Sequence, residues 1–292
     1  MKNRLALSVH PWWINGDLDR LEQELCEIEG AGADYAELVL HGLDAVVGGE
    51  LVPVRLRQVQ EILRRHALRY TLHLPYDLNL LDPLTADLWK RVFLAGIHFA
   101  QETGCEVIVF HAGAAAGDPE ELEQQETEIL NRLLDEAGGL SVCMENGLLY
   151  GDDVYSVGKR AEDMARFCRR INRPNFRLTF DVGHDFLQNR GDAKAFLADA
   201  ALLLPWIGHM HLHDNFGIPL RMEQSDYSHR IACGAADLHL PLGWGQIPFP
   251  ELLSLFSQFS GIFVFEIEKR FADQYQATLD FVRDFENPDP VR

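Results

Sequence analysis

The stretch LALSVHPWW, Leu5 to Trp13, runs a short apolar, β-rich segment directly into His10-Pro11-Trp12-Trp13. The residues just past the first strand separate two kinds of alternating β/α chain. A doubly wound open sheet usually carries a Gly-rich phosphate loop at this point. This chain carries no such loop, and a histidine stands there instead. Seven further runs of the same kind occur along the chain: Ala36–Leu40, Tyr70–Leu74, Val107–Phe110, Leu140–Met144, Phe176–Phe180, Ile207–Leu212 and Ile262–Phe265. Between them lie amphipathic stretches. Asp82-Pro83 opens one helix and Gly104 closes it; Asp118-Pro119 opens the next and Gly138-Gly139 ends it. Helices are also predicted over Leu18–Gly30, Val54–Ala67, Gly158–Ile171, Asp192–Leu204, Phe249–Phe259 and Asp273–Phe285. Eight strands alternating with eight helices predict a closed (β/α)8 TIM barrel, one domain spanning residues 1–292. The stretch Asn215 to Ile247 reads as one long loop, and loops of that length are commonly functional.

Active sites in this fold collect at the C-terminal ends of the strands. The residues there are, in order, His10, His41, His73, His111, Glu145, Asp181, His211 and Glu266. Every one is a possible metal ligand or proton-transfer group. A lone histidine beside a strand is more often a hydrogen-bonded polar residue than a ligand, a reading that applies to His10 and His41. His66 and His98 lie inside helical patterns and read as structural. For the other six, carboxylates brought together on one rim would repel and be costly to desolvate, a difficulty that a bound cation removes. Asp181-Val182-Gly183-His184 adds a histidine three residues past a strand-end aspartate, with Gly183 expected to turn the chain back over the mouth. Asp237-Leu238-His239 adds two more ligand types. Mixed imidazole and carboxylate donors suit Zn²⁺, Mn²⁺ or Fe²⁺ better than Ca²⁺ or Mg²⁺.

In GHMHLHDN, alternation points His209, His211 and His213 into the barrel at increasing height. His209 is predicted to be packed, His211 to be a ligand, and His213 to be a substrate contact. Asp214 points the other way, where it would orient a neighbour. Trp12, Trp13, Tyr76, Phe186 and Trp244 are candidates to wall the substrate pocket, and His10 to line it.

Hydrophobic content of 47% and charged content of 24% fit a soluble globular protein with a substantial core. The net charge of −19 argues against a nucleic-acid partner, and no apolar run approaches bilayer length. The densest basic stretch, Arg166 to Arg177, reads as a solvated helix face at the bottom of the barrel. The apolar run after the basic start is too short for a signal peptide, so a cytoplasmic location is expected. The five cysteines show no paired spacing and read as reduced, mostly buried thiols.

The segments LHLPYDLNL, VFHAG, CMENG, FDVGH, HMHLHDN, DLHLPLGWG and FVFEIE, in this order along nearly the whole chain, resemble the xylose-isomerase-like TIM barrels. That group includes sugar phosphate isomerases and epimerases and endonuclease IV, of AP endonuclease family 2. The resemblance implies metal ligands at His73, His111, Glu145, Asp181, His184, His211, Asp237, His239 and Glu266, holding one to three ions, with zinc favoured and manganese or iron as alternatives. The isomerase branch implies one metal on Glu145, Asp181, His211 and Glu266, with Glu145 and Glu266 as catalytic acid and base. The chain departs from a DNA-repair enzyme in lacking a basic or aromatic insertion in VLHGLDAVVGGELVPV, and Trp244 stands where the family often has an acidic residue. The expectation is therefore a metal-dependent isomerase or epimerase of a small sugar or sugar phosphate. An endonuclease IV-like phosphoester hydrolase with a multinuclear zinc site is the alternative, favoured by the ligands a one-metal enzyme does not need.

Overall fold

The structure is a computed structural model that describes residues 4–147, 154–220 and 227–286. Eight parallel strands close into a barrel in sequence order. They are β1 (Arg4–Ser8), β2 (Tyr35–Val39), β3 (Arg69–His73), β4 (Val107–His111), β5 (Ser141–Glu145), β6 (Phe176–Asp181), β7 (Ile207–Leu212) and β8 (Ile262–Phe265). Strand β1 closes the ring by pairing with β8, Arg4 opposite Ile262 through Leu7 opposite Phe265.

The outer helices are α1 (Leu18–Gly30), α2 (Pro53–Leu63), α3 (Ala86–Thr103), α4 (Pro119–Ala137), α5 (Ala161–Ile171), α6 (Ala193–Leu203), α7 (Phe249–Leu255) and α8 (Tyr275–Glu286). Asp17, Asp118 and Asp192 cap the N-termini of α1, α4 and α6 by accepting two backbone N–H bonds each. Gly104 ends α3 in the left-handed conformation at φ +75°. The main apolar core lies between the strands and this helical ring.

Several boundaries differ from the sequence reading. Asp82 accepts from the N–H groups of Leu84 and Thr85, so it organises a turn, and α3 proper begins at Ala86. Helix α2 stops at Leu63 rather than Ala67, and α7 at Leu255 rather than Phe259. The stretch after β2 folds into a small hairpin, Val46–Val47 against Glu50–Leu51, turned by Gly48 and Gly49 at positive φ. The long segment after β7 is not structureless: it contains the helix Tyr227–Cys233 and a bridge between Asp214 and Leu240.

One irregularity sets the site. Leu178 of β6 pairs with Ile207, but Thr179 pairs with His209. Gly208 is thus an extra residue, a bulge that re-phases β7 so that His209 and His211 lie beside Thr179 and Asp181.

The arginines of α5 are engaged. Arg166 and Arg170 pair with Glu123, and Arg170 also with Glu120 of α4; beyond the helix, Arg173 pairs with Asp135. All five cysteines are free, with Cys105, Cys143 and Cys168 buried. No described helix is long and apolar enough to cross a membrane.

Candidate active site at the barrel mouth

Side chains two apart on a strand share a face, so each strand sends one row up the barrel interior. At the bottom these rows are apolar: Ala6, Tyr35, Val107, Val109, Cys143, Ile262 and Val264 form a separate small core. Two residues further along, the rows turn polar. Val109 gives way to His111, Cys143 to Glu145, Val264 to Glu266 and Tyr35 to Glu37. Strands β3, β6 and β7 add His73, Asp181, and the pair His209 and His211, and His213 follows one residue past β7. This change of residue type along each row forms the floor of the site.

Glu145, Asp181, His211 and Glu266 converge. His211 Nδ1 lies 3.3 Å from Glu145 Oε1, 3.5 Å from Glu266 Oε2 and 3.7 Å from Asp181 Oδ2. On one side, His73 Nε2 and His111 Nε2 lie 3.0 and 3.1 Å from the other Glu145 oxygen. On the other side, His239 Nε2 and His184 Nε2 lie 2.8 and 3.4 Å from Asp237 Oδ2. Asp181 is the N-cap of the helix Val182–Gln188, accepting from the N–H of His184, which brings His184 one turn along the same face.

The histidines are oriented by the backbone. The Nδ1 of His73 donates to Leu74 O, that of His111 to Tyr76 O, that of His184 to Asn146 O and that of His239 to Glu266 O. A carbonyl only accepts, so each Nδ1 carries a hydrogen, and in the neutral ring Nε2 presents a lone pair. Those lone pairs face carboxylate oxygens, an arrangement that requires a cation between them, either protons or a metal. Several buried atoms in the cluster also lack a hydrogen-bond partner among the described residues: both ring nitrogens of His211, His213 Nδ1 and Asp237 Oδ1. Among the described residues five sets of donor atoms each lie within 4.8 Å of one another: His73–His111–Glu145, Glu145–Asp181–His211, Asp181–His184–His213, His213–Asp237–His239 and, lower in the barrel, Glu37–His209–His211. The donors fit a divalent cation of the zinc, manganese or iron class.

Electrostatics point the same way. Burial raises the Glu145 carboxyl, but His111 and His211 beside it more than reverse this and hold it well below the usual range. Burial lowers His211 and His239, yet the carboxylates Glu266 and Glu145 around the first, and Asp237 against the second, push both well above an ordinary histidine. His184 is pushed up to about 10 against its burial, by Asp181 and Asp237. Without a metal, protons on these rings balance the carboxylates.

The remaining candidates are dispersed. His213 is wholly buried, with Nε2 3.2 Å from both Asp181 oxygens and its ring stacked 4.0 Å from that of His239. It therefore stands within the donor cluster. Tyr76 packs edge-on against His73 and His41 beside the mouth. Trp12, 76% exposed, lies over His41, and Trp244, 49% exposed, packs on Phe271. His10 has both ring nitrogens engaged, with the Glu24 carboxylate and Ile267 O, and so braces the loop after β8. His41 lacks hydrogen-bond partners among the described residues, and burial, with His73 nearby, lowers its pKa to about 4. Phe186 is a correction: it is 1% exposed and packs on Phe196 in the core, so it walls no pocket. Gly183 is another. It lies within the helix Val182–Gln188, and its lack of a side chain makes room for the His213 ring. His66 bonds Glu29, away from the site, as the sequence suggested.

Glu37 escaped sequence reasoning, because it sits inside the apolar run of β2 and reads as part of a buried strand. Asn146, which exchanges two hydrogen bonds with the backbone of Asp181, also escaped. A carboxylate in an otherwise apolar barrel strand was the available signal for the first.

The family model described as "Xylose isomerase-like TIM barrel" matches residues 27–285. A D-tagatose 3-epimerase-like protein superposes with a TM-score of 0.74 at 21% identity, over 97% of this chain and 98% of that one. The D-psicose 3-epimerase from Clostridium cellulolyticum, solved with D-tagatose, gives 0.71 at 14% identity, over 97% and 99%. The TTHB071 protein from Thermus thermophilus, soaked with ZnCl2, gives 0.66 at 23% identity over the whole of both chains. At these identities the likeness establishes the fold. No curated protein sequence matches.

Proposed function

The chain belongs to the xylose isomerase-like TIM barrel family, and from that premise we propose that it is a divalent-metal-dependent isomerase or epimerase of a small sugar or sugar phosphate. The observation that carries this reading is the convergence of Glu145, Glu266 and Asp181 on His211 Nδ1. A divalent cation held by these four would polarise a carbonyl and its adjacent hydroxyl. One of Glu145 and Glu266 takes the proton from the carbon next to that carbonyl, and the other returns a proton to the opposite face. Asp181, fixed by its cap bond to His184 and by Asn146, holds its place between them. Trp12 and Tyr76 offer ring faces at the rim for a sugar. The epimerases among the structural neighbours support the same chemistry.

Phosphoester hydrolysis is the second reading, favoured by one observation. His73, His111, His184, Asp237 and His239 supply donor groups beyond the four a single ion needs. Several clustered ions would activate water and neutralise attacking and leaving oxygens together. Against a nucleic-acid substrate, the densest run of arginines is paired with glutamates and an aspartate.

Elemental analysis of the loaded protein, run beside a panel of ketoses and keto-glycosides, tests the choice. Conversion of a sugar that falls by about 10²–10⁴ in both Glu145→Gln and Glu266→Gln supports the proposal. Three ions per chain together with phosphodiester hydrolysis, and no sugar conversion, would replace it with the second reading.

A further inference from the structure

We propose that Glu37 is a positioning residue for His211, holding the far side of its ring so that Nδ1 faces Glu145, Asp181 and Glu266. The inference rests on reading His211 as a metal ligand. Glu37 lies on β2, across the barrel from β7, and is wholly buried with His209 and His211. Its Oε1 is 3.0 Å from His211 Nε2, and its Oε2 is 3.3 Å from His209 Nε2. Glu37 Oε1 and both of those nitrogens have no hydrogen bond of good geometry among the described residues, and this close approach of carboxylate and rings is the polar contact they share. A carboxylate only accepts. The His211 nitrogen facing it must therefore carry a hydrogen, which leaves Nδ1 as the lone-pair donor toward the cluster. The opposite tautomer would set a lone pair against a buried carboxylate.

The carboxylate is itself held. Thr71 of β3 donates its hydroxyl to Glu37 Oε2 at 3.1 Å, and Thr179 lies 3.3 Å from His209 Nδ1. An apolar side chain would fill this position without the cost of burying a charge. A role toward the ring above it accounts for a glutamate in a row that is apolar at its base.

The test is competitive titration of Co²⁺ against a chromophoric chelator, with the visible spectrum of bound Co²⁺ and the urea midpoint of the metal-free protein. Glu37→Gln presents one acceptor to three donors. It is expected to weaken Co²⁺ binding about 10–100-fold and to alter the Co²⁺ spectrum, with the metal-free urea midpoint separating a loss of folding from a loss of binding. Thr71→Val, which frees the carboxylate without removing it, is expected to weaken binding several-fold. Unchanged affinity and spectrum in Glu37→Gln would overturn the positioning role while leaving the metal-dependent reading intact. Should that variant fail to fold, unchanged affinity in Thr71→Val would overturn it equally. A wild-type protein that binds no Co²⁺ would sink both this inference and the function it rests on.

Discussion

His73, His111, His184 and His239 show how a ring nitrogen becomes a donor here: the backbone takes one side, and the lone pair is left for the cluster. In the metal-free site His184, with its pKa near 10, is protonated at pH 7, and a metal must displace that proton. Affinity should therefore rise with pH between about 7 and 10. Calorimetry at pH 7 in two buffers of different protonation enthalpy should show release of about one proton or more per chain; a binding heat independent of buffer would contradict the charge balance described above. Glu126 on α4 offers a separate pH effect. It is wholly buried with Oε1 accepting from Gly113 N–H, and burial raises its pKa to about 8. The folded state then holds a proton that the unfolded chain gives up near 4.5, so this group's contribution to stability falls as pH rises from about 4.5 to about 8. Glu126→Gln should flatten that fall, with stability at pH 8 above wild type in urea unfolding and little change at pH 4.5. At this scale the strand-end histidines and carboxylates that meet at the mouth could be read from the sequence, because period-two alternation fixes which residue tops each row. Glu37 and His213 could not be placed. The first is masked by its apolar neighbours, and the depth of the second depends on contacts with Asp181 and His239.

Among elements, the segment after β7 depends most on a single side chain. Asp214 points away from the barrel interior, as alternation predicted. Its partners are backbone rather than another side chain: its carboxylate accepts from the N–H groups of Asn215, Gly243, Gly245 and Ile247. It thereby ties down the end of the loop that carries Asp237 and His239. Ala236 and His239 both adopt positive φ, 71° and 45°, a cost that the surrounding bonds must offset. Asp214→Ala leaves four N–H groups without this acceptor, those of Asn215 and Ile247 on buried residues, and should destabilise the fold by about 2–4 kcal/mol. Hydrogen exchange should accelerate over residues 237–247; unchanged protection there would refute the tethering role. The bulge at Gly208 and the helix Tyr227–Cys233 were not legible in the sequence. A bulge leaves the hydrophobic pattern of its own strand intact, and a seven-residue helix is too short to show a period.

For the molecule as a whole, the closed barrel was legible because eight apolar runs, each buried on both faces, must be covered by helices outside and by their own side chains inside. Helix ends were less so, since turns such as Asp82–Thr85 carry the same capping residues as helices. A chain of net charge −19 that gathers four carboxylates at its mouth is stabilised by any cation bound there. Zn²⁺ or Mn²⁺ at 100 times its dissociation constant should stabilise the fold by about 2.7 kcal/mol, read as a higher Tm that chelator reverses. Metal-assisted proton transfer by Glu145 and Glu266 is tested most directly in D2O. Free ketoses incubated with the metal-loaded protein are followed by NMR for deuterium at the carbon next to the carbonyl. Metal-dependent incorporation that is lost in Glu145→Gln and in Glu266→Gln is the predicted result. Hydrolysis of bis(4-nitrophenyl) phosphate that is lost in Glu145→Gln, with no deuterium entering any ketose, would contradict it.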